Sequence, residues 1–264
     1  MLEASTTELE WGDLVLDTPT VDQLLDIEAQ IKRRGAIVND WGMAGRLRPG
    51  FRYLFCGPSG TGKTTTALVL GKRVARPVYR VDLSAAVSKF IGETEKNLEA
   101  VFSRALKLDG ILLIDEAEAL FSKRADVKDA HDRYANMEIA YLLQRIEGHR
   151  GIVILATNRK GEIDDAFSRR LDAVVLFSMP SAADRKRLWD KALPASLEFD
   201  ADIDISELAE QYPLSGGAIV NALRYASIVA GAAGRTNIRR VDVIEGIRRE
   251  LGERRRAELG AWAR

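Results

Sequence analysis

GPSGTGKT, residues 57–64, follows the apolar run FRYLFC (51–56) and leads into TTTALVLGKRVA. This is G-x-x-x-x-G-K-[ST] in a strand–loop–helix setting, the context the motif requires. The backbone of Gly57, Pro58, Ser59, Gly60, Thr61 and Gly62 is read as a cradle. Glycines let such a loop curl until successive N–H groups point inward at phosphate oxygens. The positive end of the following helix adds to the attraction. Lys63 is placed to reach the β- and γ-phosphates, and the Thr64 hydroxyl to meet Mg²⁺, with Thr65 beside it in the first helical turn.

Working outward, FRYLFC is one of five short runs rich in β-branched and aromatic residues, and four more follow it. They are PVYRVDL (77–83), GILLID (110–115), GIVILAT (151–157) and DAVVLF (172–177). Helix-like stretches separate them, and this alternation predicts a parallel sheet covered by helices. GILLID and GIVILAT are continuously apolar, as central strands buried on both faces must be. VYRVDL alternates, which suits an edge strand.

Upstream, VDQLLDIEAQIKRR (21–34) has helical spacing. Downstream of Pro180 the pattern is read as wholly helical, with Ile219, Ala222, Leu223, Ala226 and Val229 at i, i+3, i+4, i+7 intervals. The predicted layout is an N-terminal segment over 1–50, an α/β core over 51–180 and a small helical domain over 181–264.

Composition limits the partners. Of 264 residues, Lys and Arg total 39 and Asp and Glu total 39. A net charge of zero favours neither nucleic acid nor an anionic membrane surface. The single cysteine, Cys56, excludes an intrachain disulfide and reads as buried packing. The N-terminal stretch is acidic and lacks a secretory pattern, and the apolar runs are far shorter than a membrane span. A cytoplasmic protein with no membrane or nucleic-acid partner is expected. The basic tail RRELGERRRAELGAWAR reads as a solvated helix face.

The run ILLI closes on two acids. Asp115 at a strand end can hold Mg²⁺, and Glu116 can take a proton from an attacking water; γ-phosphate hydrolysis needs both. GIVILAT ends beside Asn158, whose amide can orient that water or simply cap the next turn. Arg169 and Arg170 follow a short helical stretch in DDAFSRRLD. A guanidinium on a γ-phosphate speeds phosphoryl transfer greatly, although surface Arg pairs are common.

In this order and spacing these elements resemble the AAA+ ATPases. GPSGTGKT is similar to Walker A, ILLIDE to Walker B, and Asn158 holds the position of sensor 1. The resemblance implies a five-stranded parallel P-loop sheet of order 5-1-4-3-2 and a C-terminal helical lid. SRRLD resembles the arginine-finger region, usually GRFDR: Arg170 matches its first Arg and Ala173 replaces its second. Arg169 is the other candidate finger. LSGGAI (214–219) resembles the start of the lid helix in the AAA clade, implying that Gly216 and Gly217 lie against adenine. WGDLVL (11–16) resembles the segment that covers the base, with Asp13 and Leu14 as its contacts.

SKFIGETEKNL (88–98) resembles the pore loop of AAA unfoldases. It implies that Lys89, Phe90 and Ile91 grip a polypeptide; the alternative is a core Phe90. Residues 121–136 fall where a second pore loop would lie, and read equally as an ordinary solvated connection. The combination of VSKFIGETEKNL, DAHDRYAN and SRRL is similar to that of compact bacterial AAA proteins found with phage-tail-like contractile injection systems. The implied function is ATP- and Mg²⁺-dependent remodelling, unfolding or disassembly of proteins by a homo-oligomeric ring, a hexamer in this family. The alternatives are a nucleic-acid-linked AAA+ loader or initiator, which would need a basic binding surface, and an ATP-dependent assembly scaffold without hydrolysis.

Overall fold

The computed structural model describes residues 4–40, 50–82, 93–120, 130–158 and 165–262. It divides into two compact units. The first comprises residues 1–14, 18–58 and 63–177, and the second residues 15–17, 59–62 and 178–264.

In the first unit the elements are β1 (Ala4–Ser5), α1 (Thr18–Asn39), β2 (Phe51–Cys56), α2 (Lys63–Arg73), β3 (Val78–Asp82), α3 (Glu93–Lys107), β4 (Ile111–Asp115), a 3-10 turn (Ala117–Leu120), α4 (Ala130–Gly148), β5 (Ile152–Thr157), α5 (Asp165–Ser168) and β6 (Ala173–Leu176). The sheet order is β1-β3-β4-β5-β2-β6. Counting from Phe51 and reading from β6, its parallel strands run 5-1-4-3-2, as the sequence implied. Cys56 aligns with Thr157, Ile114 with Leu155, and Asp82 with Asp115.

β4 and β5 are central, which explains their unbroken apolar runs: Ile111–Ile114 and Ile152–Thr157 are buried throughout. Alternate side chains divide between two faces. Leu54, Cys56, Leu112, Ile114, Val153 and Leu155 pack with Phe102 of α3 and with Leu142 and Ile146 of α4. Cys56 is therefore packing, as expected. α2 covers the other face, along β3, β4 and β5. Its Val69 and Leu70 are buried.

One expectation changes here. β3 is not the outermost strand: Ala4–Ser5 pairs antiparallel along it, Ala4 opposite Tyr79 and Ser5 opposite Val78. Two residues carry no periodicity, so nothing in the sequence marks this strand, yet it satisfies an otherwise open edge.

The second unit contains α6 (Ala182–Ala192), β7 (Glu198–Phe199), α7 (Ile205–Gln211), α8 (Gly216–Ala232), β8 (Asn237–Ile238) and α9 (Arg240–Trp262). Its core gathers Trp189, Leu208, Leu214, Ile219, Leu223, Ala226, Val243 and Ile247. The helical spacing read around Ile219 is thus the buried face of α8. Ser181, Asp204 and Ser215 cap α6, α7 and α8 through their side-chain oxygens. Gly246 lets α9 cross α8 closely, since a Cβ there would lie 2.5 Å from the Ala222 carbonyl oxygen. The unit is not wholly helical, contrary to expectation. β7 and β8 form a parallel pair, Glu198 opposite Asn237 and Phe199 opposite Ile238. Pairs this short cannot be distinguished from loop by pattern.

Candidate active site

The end of β2 sets the position of the glycine-rich loop. The Phe177 N–H donates to the Cys56 carbonyl at 2.7 Å, and Gly57 N–H to the Thr157 carbonyl at 3.2 Å. The backbone passes so close that a Cβ at Gly57 would lie 2.1 Å from the Phe177 oxygen. Gly60 and Gly62 then adopt φ of +74° and +96°, the left-handed region that glycine enters without penalty. Within the second unit, Gly217 N–H donates to the Gly60 carbonyl at 2.9 Å. A Cβ on Gly60 would meet the Ser215 hydroxyl oxygen at 2.5 Å. The turn 59–62 therefore lies at the start of α8, where Gly216 and Gly217 begin the helix. Pro58, Ser59 and Gly60 are exposed, Thr61 is buried, and Thr65 is half-buried.

Four predicted residues meet in one bonded cluster. Lys63 Nζ, buried at the start of α2, donates to the carbonyls of Gly57 (2.7 Å) and Pro58 (2.9 Å) and to Asn158 Oδ1 (2.8 Å). Burial pulls the Lys63 pKa below its ordinary value, while the charges of Asp115 and Glu118 work the other way. Thr64 Oγ1 donates to Asp115 Oδ2 at 2.9 Å. Hydroxyl and carboxylate side by side are the hard oxygen donors that Mg²⁺ prefers when phosphates complete its shell. Among the described residues no group of three or more His, Cys, Asp or Glu could hold a metal alone. A cation at Thr64 and Asp115 therefore fits as a partner of bound phosphate.

Glu116 is exposed, and its N–H donates to Asp115 Oδ1 at 3.1 Å. Its φ of +53° is left-handed. Ala75 and Asp109 share this conformation, but they close α2 and α3, where Arg76 N–H reaches the Gly71 carbonyl and Gly110 N–H the Ala105 carbonyl. Glu116 ends no helix, so its strain belongs to the strand–turn junction at the site.

Arg169 and Arg170, both exposed, follow α5. Arg170 is ion-paired with Glu147 at the end of α4 in the same chain. Asp13 and Leu14 leave a 3-10 turn, Trp11–Asp13, where Glu10 N–H donates to Asp13 Oδ2 at 2.7 Å. Trp11, at its start, is held at the C-terminal end of α2. The Arg73 guanidinium stacks over the Trp11 ring at 4.4 Å, and its Nε donates to Glu28 at 2.7 Å. Burial opposes charge on Glu28, but hydrogen bonds from Arg73 and Lys32 outweigh it and lower its pKa. The expected grip residues Lys89, Phe90 and Ile91 lie outside the described residues, as does most of 121–136.

Two residues at this site were not singled out from sequence. Arg80 of β3 lies 3.1 Å from Asp115 Oδ2. Glu118 accepts from Asn158 N–H at 2.6 Å. The only trace of either was a charge interrupting an apolar strand and an acid just beyond Asp115-Glu116.

Residues 53–179 match the family described as "ATPase family associated with various cellular activities (AAA)". The chain carries an AAA module. Over 172 residues it is 32% identical to an uncharacterized AAA family ATPase of Sinorhizobium fredii, covering 65% of this chain and 51% of that protein. Over 238 residues it is 30% identical to the A-like 1 form of the katanin p60 ATPase-containing subunit, both from Homo sapiens and from Rattus norvegicus, covering 83% of this chain and 48% of each relative. The chain thus spans about half the length of these curated relatives. Among the described residues, no helix of the AAA module or of the rest of the chain is long and apolar enough to cross a membrane.

Proposed function

We propose that this protein is a Mg²⁺-dependent ATPase that works as a homo-oligomeric ring, a hexamer by family resemblance, and remodels a protein substrate. The observation that carries the proposal is the bonded cluster of Lys63, Thr64, Asp115 and Asn158 around a glycine cradle. On binding ATP, Lys63 exchanges its carbonyl partners for phosphate oxygens. Thr64 and Asp115 hold Mg²⁺, which when bound neutralises charge developing on the phosphates. Glu116 takes the proton of the attacking water, and Asn158 orients that water. Asp13, Leu14, Gly216 and Gly217 contact the base.

Arg170, with Arg169 beside it, acts on the γ-phosphate of a neighbouring protomer. Lys89, Phe90 and Ile91 grip the polypeptide, because an aromatic face holds varied side chains without sequence specificity. Relatives whose name marks them as the ATPase-containing part of katanin support both hydrolysis and work within an assembly. A role beside contractile injection systems rests on the motif combination alone.

Phosphate release from MgATP tests the proposal. Glu116→Gln is expected to keep nucleotide binding and to lose hydrolysis by about 100-fold or more. Hydrolysis at the wild-type rate in Glu116→Gln would overturn the assignment of the base, and a wild-type protein that binds no ATP would overturn the whole reading.

A further inference from the structure

The 3-10 turn after β4 is anchored in the core by Ala117 and Leu120, both buried. Between them Glu118, half-buried, presents its carboxylate to the tip of β5. The β4–β5 ladder ends at Ile114 opposite Leu155. Asn158 therefore lies beyond the last rung between these two strands. There Glu118 Oε1 accepts from Asn158 N–H at 2.6 Å. The Asn158 amide in turn accepts from Lys63 Nζ at 2.8 Å. A relay runs from the turn after Asp115-Glu116, through the tip of β5, to the lysine of the glycine cradle.

We infer that Glu118 is a positioning residue, whose carboxylate fixes the Asn158 backbone and so aims the Asn158 amide at the reacting end of the site. This rests on the ATPase reading above. A hydrogen bond to a charged acceptor is short and strong, so it constrains the backbone tightly. An amide that must orient one water tolerates little displacement. Glu118 lies two residues from the proposed base, on the turn that follows it, so base and amide keep a common reference frame. Glu118 itself touches neither nucleotide nor water in this assignment.

Steady-state ATPase kinetics, nucleotide affinity and thermal melts of the full chain test this. Glu118→Ala is expected to lower kcat about 10- to 100-fold, the loss typical of slight misplacement. KM and the Kd for MgATP should stay within about twofold, because the phosphate cradle is untouched. Glu118→Gln keeps an acceptor oxygen and should recover most of kcat. In an Asn158→Ala background, Glu118→Ala should cost little more, since both act through one amide.

The inference is overturned if Glu118→Ala retains wild-type kcat, if its loss persists undiminished in Asn158→Ala, or if Glu118→Gln is as impaired as Glu118→Ala. Should the alanine variant melt below the assay temperature, Glu118→Met, which keeps bulk without an acceptor, replaces it with the same outcomes. A wild-type chain that hydrolyses ATP beside an unaffected Glu118→Ala sinks this inference alone. An inert wild type sinks the ATPase reading and this inference with it.

Discussion

At the scale of single residues, Lys63 shows how a charged group is kept inside. Three acceptors surround its ammonium, and all would compete with a phosphate for it. Lys63→Ala is expected to weaken nucleotide binding about tenfold or more, read by titration with a fluorescent nucleotide. This differs from Glu116→Gln, where binding should survive. Gly57 is constrained by space: any Cβ would collide with the Phe177 backbone, which cannot yield as a side-chain tip could. Gly57→Ala should therefore destabilise the fold by about 1–3 kcal/mol in denaturant unfolding, besides distorting the cradle. The roles proposed for Lys63 and Thr64 were legible because the loop that presents them is a contiguous stretch. Glu118 and Arg80 were not, because their partners lie 40 and 35 positions away in the chain.

At the scale of elements, the junction of α4 with the sheet is held by a buried guanidinium. Arg52 of β2 donates to the carbonyls of Ile146 (3.1 Å), Glu147 and His149 (3.5 Å), and its Nη1 lies 3.7 Å from Asp172 Oδ2. A cation at a helix C-terminus is favourable, and removing it would strip the guanidinium from these carbonyls and from Asp172, although Asp172 would keep the Arg52 backbone N–H at 2.7 Å. Arg52→Leu is expected to cost about 3 kcal/mol or more in unfolding free energy, although Arg52 touches no proposed catalytic group.

His149 lies at the same corner, buried, with its ring edge-on to Phe102 at 5.3 Å. Burial, and then the charges of Arg52 and Arg145, push its pKa down to about 4. A histidine whose folded pKa is depressed leaves stability intact above its unfolded value near 6.5. That stability is lost as the pH falls from there through about 4, because the unfolded chain takes up the proton first. The melting temperature should drop between pH 7 and pH 4, and His149→Asn should flatten part of that drop. An unchanged pH profile in His149→Asn would remove this histidine from the account.

At the scale of the whole molecule, the proposed ring makes a distinct prediction. Arg170 pairs with Glu147 within its own chain, so a role on a neighbour's γ-phosphate requires that surface pair to open. Exposed pairs of this kind are weak, about 0–1 kcal/mol, and oppose the exchange little. Arg170→Ala protomers keep an intact pocket, and Lys63→Ala protomers keep an intact finger. Each variant alone should be inactive. Their mixture should regain part of the ATPase rate, because some interfaces join a sound pocket to a sound finger. Specific activity should also rise with protein concentration. A mixture as inactive as its components, or a rate per protomer independent of concentration, would contradict action between protomers.

The sequence alone determined the α/β class, the strand order by resemblance, and the glycine-rich loop. Each depends on short-range pattern: apolar runs of strand length, a contiguous motif, and helical spacing such as that of Ile219, Leu223 and Ala226. Tertiary structure alone decided which side chains answer one another. Parallel strands are joined by crossovers, so the tips of β2, β4 and β5 become neighbours only when the sheet closes in its final order. The Lys63–Asn158–Glu118 relay and the Arg80–Asp115 pair arise there, and the Arg170–Glu147 pair forms at the opposite end, where β5 and β6 begin. The strands β1, β7 and β8 are equally tertiary: two residues gain strand geometry from a partner's hydrogen bonds, and carry too little pattern of their own to require it.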